Sequence, residues 1–228
     1  IAFIFSTMRH FARELHESGY RVSYTKFEDE QNSGFLKNEI TRALKQQKFD
    51  KIVVTHPGEY RVKEDIKSWA TDFSISIEIR ADDRFLCSTE DFLIWAKPRK
   101  QLRMEYFYRE MRKKYNVLMN GNQPIGGQWN YDLKNRKPPK ENLLIPDPYH
   151  NQPDDITLDV MSLVAEYFPD HFGDLEPFYF GVTRLQALEA FDLFLTQRLP
   201  NFGDYQDAMI EGEPWMYHSH ISFYLNCG

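Results

Sequence analysis

The sequence predicts an α/β fold: a Rossmann-like parallel-sheet domain, incomplete at its N-terminus, followed by the first helices of an all-α domain. Three observations carry this. Apolar runs of strand length alternate with helical periods over residues 1–96. The run Ile52-Val53-Val54 is continuously apolar, as a parallel strand covered on both faces requires. From residue 154 onward the apolar period is helical only.

In order, Ile1–Phe5 reads as a buried strand, and Met8, Phe11, Ala12 and Leu15 then recur at helical spacing until Gly19 closes the helix. Arg21–Phe27 reads as a strand with Val22 and Tyr24 on one face. Ser33 is placed to cap a helix bearing Leu36, Ile40 and Leu44, and Lys51–Thr55 is the third strand. Pro57-Gly58 turns the chain into a helix with Val62, Ile66 and Trp69. Ile75, Ile77 and Ile79 alternate as a fourth strand, and Ser88 or Thr89 caps a helix carrying Phe92 and Trp95. A basic helix spans residues 102–115, and a Gly/Pro/Asn-rich stretch runs from Asn120 to about Pro153, long enough to be a functional loop. Ile156, Val160, Leu163, Val164 and Tyr167 then form one helical stripe, and Thr183 with Gln186 makes a capping box before Leu188, Phe191 and Leu195. The expected domains are 1–100, 101–153 (a basic inter-domain segment) and 154–228.

Hydrophobic content of 42% with 27% charge belongs to an ordinary globular protein. No apolar run approaches the roughly 20 residues of a membrane helix. Two cysteines, Cys87 and Cys227, build no disulfide framework and suit a reducing compartment, so a cytoplasmic location is expected. The chain starts on Ile1 and stops inside an amphipathic run, Tyr224-Leu225-Asn226-Cys227-Gly228, which suggests an internal piece of a longer protein.

Charge is unevenly placed. Between Lys97 and Lys140 twelve Lys or Arg face three acids, a local +9 that leaves −15 for the rest of a chain of net −6. Residues 141–228 hold fifteen acids and only two Arg. Such asymmetry points to a polyanionic partner, with an acidic neighbour in the same fold as the alternative. The segment Lys97-Pro98-Arg99-Lys100-Gln101-Leu102-Arg103-Met104-Glu105-Tyr106-Phe107-Tyr108-Arg109 mixes guanidinium groups with aromatics, and Arg103, Tyr106 and Phe107 share one helix face. Met104, Phe107 and Met111 are expected to pack inward while Arg99, Lys100 and Arg103 contact phosphate. Gly126-Gly127-Gln128-Trp129-Asn130-Tyr131-Asp132 supplies flexible backbone, stacking faces at Trp129 and Tyr131, and amides able to read base edges. Asp132 lies among the cations Lys134, Arg136, Lys137 and Lys140, where it can anchor Arg136, hold a divalent cation or contact a base. In His218-Ser219-His220-Ile221-Ser222, hydroxyls at i and i+3 suit either helix caps or a diphosphate, and two histidines without a third ligand argue against a metal.

Several of these segments occur in a familiar order. Asp83-Arg84-Phe85-Leu86-Cys87-Ser88, Leu102-Arg103-Met104-Glu105, Gly126 to Asp132, Asn135-Arg136-Lys137-Pro138, and Phe202-Gly203-Asp204-Tyr205-Gln206-Asp207-Ala208-Met209 resemble the deoxyribodipyrimidine photolyase-related proteins, the iron–sulfur bacterial cryptochromes and photolyases. The resemblance implies an α/β antenna domain, an inter-domain segment and a helical FAD-binding domain. It further implies a light-driven flavoprotein that repairs pyrimidine photoproducts of the (6-4) kind in damaged double-stranded DNA, as a monomer with no membrane attachment. On this basis His218, Ser219, Ile221, Ser222, Leu225 and Asn226 are expected at part of a FAD site, and Asp132 and Asp207 near the lesion. Arg99, Lys100, Arg103, Arg136, Lys137, Trp129 and Tyr131 are expected on DNA.

The departures are informative. The family's first strand and antenna loop are missing, so a ribolumazine pigment site is incomplete, and a 4Fe–4S cluster needs four cysteines where this chain has two. Cluster and antenna pigment are expected only in the full-length parent, and this stretch alone is expected to be inactive with no catalytic residue of its own. None of Trp69, Trp95, Trp129 or Trp215 is assigned to electron transfer. The alternatives are a photosensory cryptochrome without repair activity and a flavin-free nucleic-acid-binding α/β module.

Overall fold

The structure, a computed structural model, describes residues 1–135, 137–139 and 143–227. Its elements in chain order are α1 (Ala2–Glu17), α2 (Leu36–Gln46), β1 (Lys51–Thr55), α3 (Tyr60–Asp72), β2 (Ser76–Arg80), α4 (Thr89–Ala96) and α5 (Met104–Tyr115). A short hairpin of β3 (Met119–Asn120) and β4 (Gln123–Pro124), a 3-10 turn (Asp132–Lys134) and α6 (Asp155–Tyr167) follow. Then come α7 (Arg184–Leu193), a π-helical turn (Phe194–Arg198), α8 (Leu199–Tyr205) and α9 (Ser222–Cys227). Two compact units result, Thr25–Trp129 and Ile1–Tyr24 with Asn130–Gly228.

In the unit Thr25–Trp129, β1 and β2 pair in parallel, Lys51 opposite Ser76 through Thr55 opposite Arg80, with α3 as the crossover. This mixed helix-and-sheet arrangement is α/β. Trp69 and Ile66 of α3 are buried, and Trp69 meets Phe73 edge to face. Ser88 caps α4 by accepting the Asp91 N–H at 3.0 Å. The start of α2 differs from expectation. Phe35 occupies the N-cap position, while the Ser33 hydroxyl and N–H both bind the Glu39 carboxylate, at 2.7 and 3.0 Å. Those bonds, the backbone one foremost, hold the Glu39 carboxyl below its ordinary range.

The other unit is built on α1 and α6. Ile1–Phe5 is not a strand: α1 begins at Ala2 and buries Ala2, Ser6, Arg9 and His10. A short apolar run fits a strand and a buried helix turn equally, and only the partner face distinguishes them. Arg21–Phe27 likewise forms no ladder, because among the described residues no strand pairs with it. The core gathers Ala2, Val160, Met161, Leu163, Val164, Phe178 and Val182, with Phe3, Phe5 and Phe168 against it. Val160 is wholly buried, which contributes about 2 kcal/mol. Gly19, at φ +88°, ends α1 as expected, since a left-handed residue is what lets the chain leave a helix tightly.

Polar groups clasp the two helices. Asp154 caps α6, accepting the Thr157 N–H at 3.0 Å and hydroxyl at 2.8 Å. The same carboxylate faces His10 Nε2 at 3.1 Å. Arg13 can only donate to His10 Nδ1, so Nε2 carries the proton and donates to Asp154. Arg9 donates to Asp159 one turn further along. Among the described residues no helix is long and apolar enough to cross a membrane.

Candidate functional site

A cleft of about 450 Å³, its open mouth included, lies in the unit built on α1 and α6. Its walls are aromatic, with Tyr149, Tyr179, Phe180, Trp215, Phe223 and Tyr224 around Arg198, Ser219 and His220. The expected capping box places one wall: Gln186 accepts the N–H groups of Val182 and Thr183, and Thr183 accepts the Gln186 N–H at 3.3 Å. Gly181 presses against that box so closely that a Cβ there would sit 2.8 Å from the Gln186 Cβ. Its N–H donates to the Tyr224 hydroxyl at 2.9 Å. Burial raises the Tyr224 hydroxyl above its ordinary range despite that bond.

Arg198 closes the π-helical turn and is 4% exposed, yet it forms no ion pair among the described residues. Its Nη1 donates to the carbonyls of Met216 at 3.2 Å and His218 at 3.1 Å, and its Nη2 to that of Pro146 at 2.6 Å. His220 Nδ1 lies 3.4 Å from Nη1, and Nε2 faces the Trp215 carbonyl at 3.1 Å. Arginine only donates, so Nδ1 accepts and Nε2–H donates to Trp215. Burial, then the Arg198 charge, depresses the His220 pKa below its ordinary 6.5.

The predicted residues divide. Ser219 lines the cleft, and its hydroxyl takes no intramolecular partner among the described residues. His218 turns its ring edge-on to Phe202, at 5.9 Å between ring centres, and contributes its carbonyl to Arg198. Ile221 is half-buried, with its carbonyl accepting the Leu225 N–H, while Ser222, Leu225 and Asn226 of α9 are exposed. Arg198, Trp215, Tyr149 and Tyr179 also line the cleft, and no sequence motif marks them as site residues. The one signal was that Arg198 is among only two cations in an otherwise acidic stretch.

Two of the segments that carry the family resemblance meet in the same unit. The Lys137 main-chain N–H donates to the Asp204 carbonyl at 3.1 Å and its ammonium to the Asp204 carboxylate at 2.8 Å. Asp132 is exposed and folds onto Asn130, which donates to its carboxylate at 3.1 Å. Tyr131 lies under the Lys134 ammonium, 5.4 Å from the ring centre, and Asp207 is exposed just beyond α8. Arg136 lies outside the described residues.

The part of the basic segment up to Trp129 belongs to the unit Thr25–Trp129. The Arg99 guanidinium stacks on Trp95 at 4.4 Å, and Trp95 packs on Phe107 at 5.0 Å. Lys100 and Arg103 are exposed. Phe107 and Met111 are half-buried as expected, but Met104 is 75% exposed and Arg112 is buried in its place. Met104 fills the first turn of α5, where the helix has little to pack against, whereas Arg112 faces the turn that ends it. The Arg112 Nε and Nη2 donate to the carbonyls of Val117 and Leu118 at 3.0 and 2.5 Å. Trp129 carries three cations around its half-buried ring, Arg112 at 5.3 Å, Arg109 at 5.4 Å and Lys113 at 5.6 Å. Among the described residues no three of His, Cys, Asp and Glu come together.

Residues 1–180 match the family model for deoxyribodipyrimidine photo-lyase-related protein. The chain is 50% identical over 228 residues to a (6-4) photolyase of Agrobacterium fabrum, which covers 100% of this chain and 45% of that protein. It is 23% identical over 141 residues to an uncharacterized protein of Acanthamoeba polyphaga mimivirus, covering 60% of this chain and 69% of that one. The chain therefore spans under half the length of the photolyase it matches throughout. With the family match running over residues 1–180 and 50% identity to a photolyase along the whole chain, the chain belongs to the deoxyribodipyrimidine photo-lyase-related protein family.

Proposed function

We propose that this chain is part of a light-dependent flavoprotein that repairs pyrimidine photoproducts of the (6-4) type in double-stranded DNA. The observation that carries the reading is 50% identity along the whole chain with a (6-4) photolyase. The cleft supports it. Aromatic walls suit a planar, apolar ring, and Ser219, with a hydroxyl that has no partner among the described residues, suits a polar edge or phosphate of the same ligand. When bound, reduced FAD supplies the electron that repair of a flipped-out base requires. The chain's own part is to exclude water with Tyr179, Phe180, Trp215 and Phe223 and to orient the ligand through Ser219. Ser222, Ile221, His218, Leu225 and Asn226 belong to the same proposed site through the adjoining turn and α9.

We assign phosphate contact to Arg99, Lys100 and Arg103, which are exposed, and to Lys137 and Arg136 of the second segment. Asp132 and Asp207 are proposed near the lesion. Trp129 and Tyr131 are proposed to meet bases with whatever ring surface their neighbouring cations leave open. The two cysteines do not fit a 4Fe–4S cluster, which needs four: Cys87 and Cys227 stand in different units. We propose cluster and ribolumazine pigment for the longer protein, with this stretch alone inactive in repair.

The test is blue-light repair of a duplex carrying one (6-4) lesion by the full-length protein, with the visible spectrum recorded beforehand. A yellow protein that restores the lesion to normal bases is the expected result. A yellow protein that leaves the lesion intact is a sensor, and a colourless one is a flavin-free module; either overturns the proposal.

A further inference from the structure

We infer that Arg198 is a positioning residue for the cofactor cleft: one buried guanidinium ties its two rims and sets the backbone that presents Ser219 and His220. The inference rests on the flavin reading only for the identity of the ligand. The geometry of the arginine stands by itself.

A buried cation is ordinarily paired with a carboxylate, because desolvating an isolated charge is costly. Arg198 is among the most buried side chains of the described residues, yet its partners are carbonyls and an imidazole. Asp147 and Glu213 act on it only at longer range, against the burial that weakens its hold on its proton. Carbonyl pairing satisfies the donors without neutralising the charge, so its value lies in what the carbonyls are made to do. The Pro146 carbonyl belongs to the strand of chain that brings Tyr149 to one rim. The Met216 and His218 carbonyls and the His220 ring belong to the other.

That second rim is strained. Met216 and His220 are not glycines, yet they stand at φ +46° and +52°, in the left-handed region L side chains seldom adopt. Such residues persist when their surroundings over-determine them, and they gather at binding sites. Arg198 binds the carbonyl of the first and the ring of the second, with Ser219 held between His218 and His220. The arginine is itself aimed by the π-helical turn Phe194–Arg198, an inserted residue that shifts the following helix face and recurs at functional sites. A planar five-donor fork can serve both rims at once, which the single ammonium of lysine cannot.

The test compares full-length wild type with Arg198→Met and Arg198→Lys by hydrogen exchange and by fluorescence titration with FAD. In the methionine variant, exchange at amides 216–220 is expected to rise at least tenfold while α1 and α6 amides stay at wild-type rates. FAD affinity is expected to fall at least tenfold. The lysine variant keeps charge but not the fork, and is expected to rise severalfold in exchange and lose severalfold in affinity. Should the methionine variant fail to fold, the lysine variant decides alone. Wild-type exchange at 216–220 in the folded variant overturns the positioning role. Faster exchange with undiminished FAD affinity overturns the link to the cleft. A wild type that binds no FAD overturns the flavin reading and with it the ligand named here, while the exchange comparison still decides the geometry.

Discussion

Replacing Arg112 by Met separates two roles that a basic helix can play. In the structure this guanidinium is spent inside the fold. It donates to Val117 and Leu118, whose turn carries the non-glycine left-handed residues Asn116 and Leu118 at φ 53° and 52°. Hydrogen bonds from a charged donor contribute about 1.5–3 kcal/mol each. Val117 and Leu118 are 47% and 60% exposed, so water can reach their carbonyls and the lower end applies, about 3 kcal/mol for the pair. Cation–π contacts with Tyr108 at 5.5 Å and Trp129 at 5.3 Å add about 0.5 kcal/mol each. The methionine stem recovers part of the packing, so the net loss is about 3 kcal/mol. Native-state hydrogen exchange of the Ile125 amide, which donates to the Leu118 carbonyl at 2.8 Å, reads that loss directly. Exchange should quicken roughly a hundredfold, at about 1.4 kcal/mol per tenfold. DNA binding of the full-length variant, measured in parallel, should keep the wild-type dependence on salt. Double charge reversal at the exposed Arg99 and Lys100 should flatten it, by about one unit of slope per lost phosphate contact. An exchange change below about twofold, or a flattened salt slope in Arg112→Met, would refute the assignment of Arg112 to the turn.

Two further outcomes follow from the α1–α6 clasp and the cleft. Asp154→Ala removes the cap of α6 and leaves His10 Nε2–H without its acceptor, so urea unfolding should show a loss of about 1–2 kcal/mol, and Asp154→Asn, which keeps a capping oxygen, a smaller one. His220 has a folded pKa below its ordinary 6.5, so the unfolded state takes up the proton first as pH falls. Its contribution to stability is complete above about pH 6.5 and is lost as the pH drops through the depressed value. His220→Gln should remove that segment of the stability–pH curve, read by thermal melts between pH 7 and roughly pH 5, and a variant curve parallel to wild type would exclude it.

Local signals in the sequence were legible wherever neighbouring residues alone decide the conformation. Gly19 ends α1, Ser88 caps α4, and Thr183 with Gln186 closes on itself, because each cap is made within a few residues of chain. The apolar run at 51–55 and the alternation at 75–79 paired in parallel as expected, but not as strands covered on both faces: Val53 is 39% and Ile79 43% exposed. The motifs likewise carried the family, which the family match over residues 1–180 and the 50% identity along the whole chain bear out.

Tertiary structure decided what depends on partners distant in sequence. Ile1–Phe5 is apolar enough for a strand, but its place against Val160 and Leu163, on a helix more than a hundred residues away, makes it the first turns of α1. Charge counting treats every cation between Lys97 and Lys140 alike. The fold turns Arg112 inward onto two carbonyls, packs Arg109 against Trp129 and leaves Lys100 and Arg103 exposed, because a guanidinium with unsatisfied carbonyls near it is better bonded than hydrated. Arg198 is the clearest instance. One arginine in an acidic stretch reads as a surface cation, and only the meeting of Pro146, Met216 and His218 around it reveals a buried donor at the centre of the cleft.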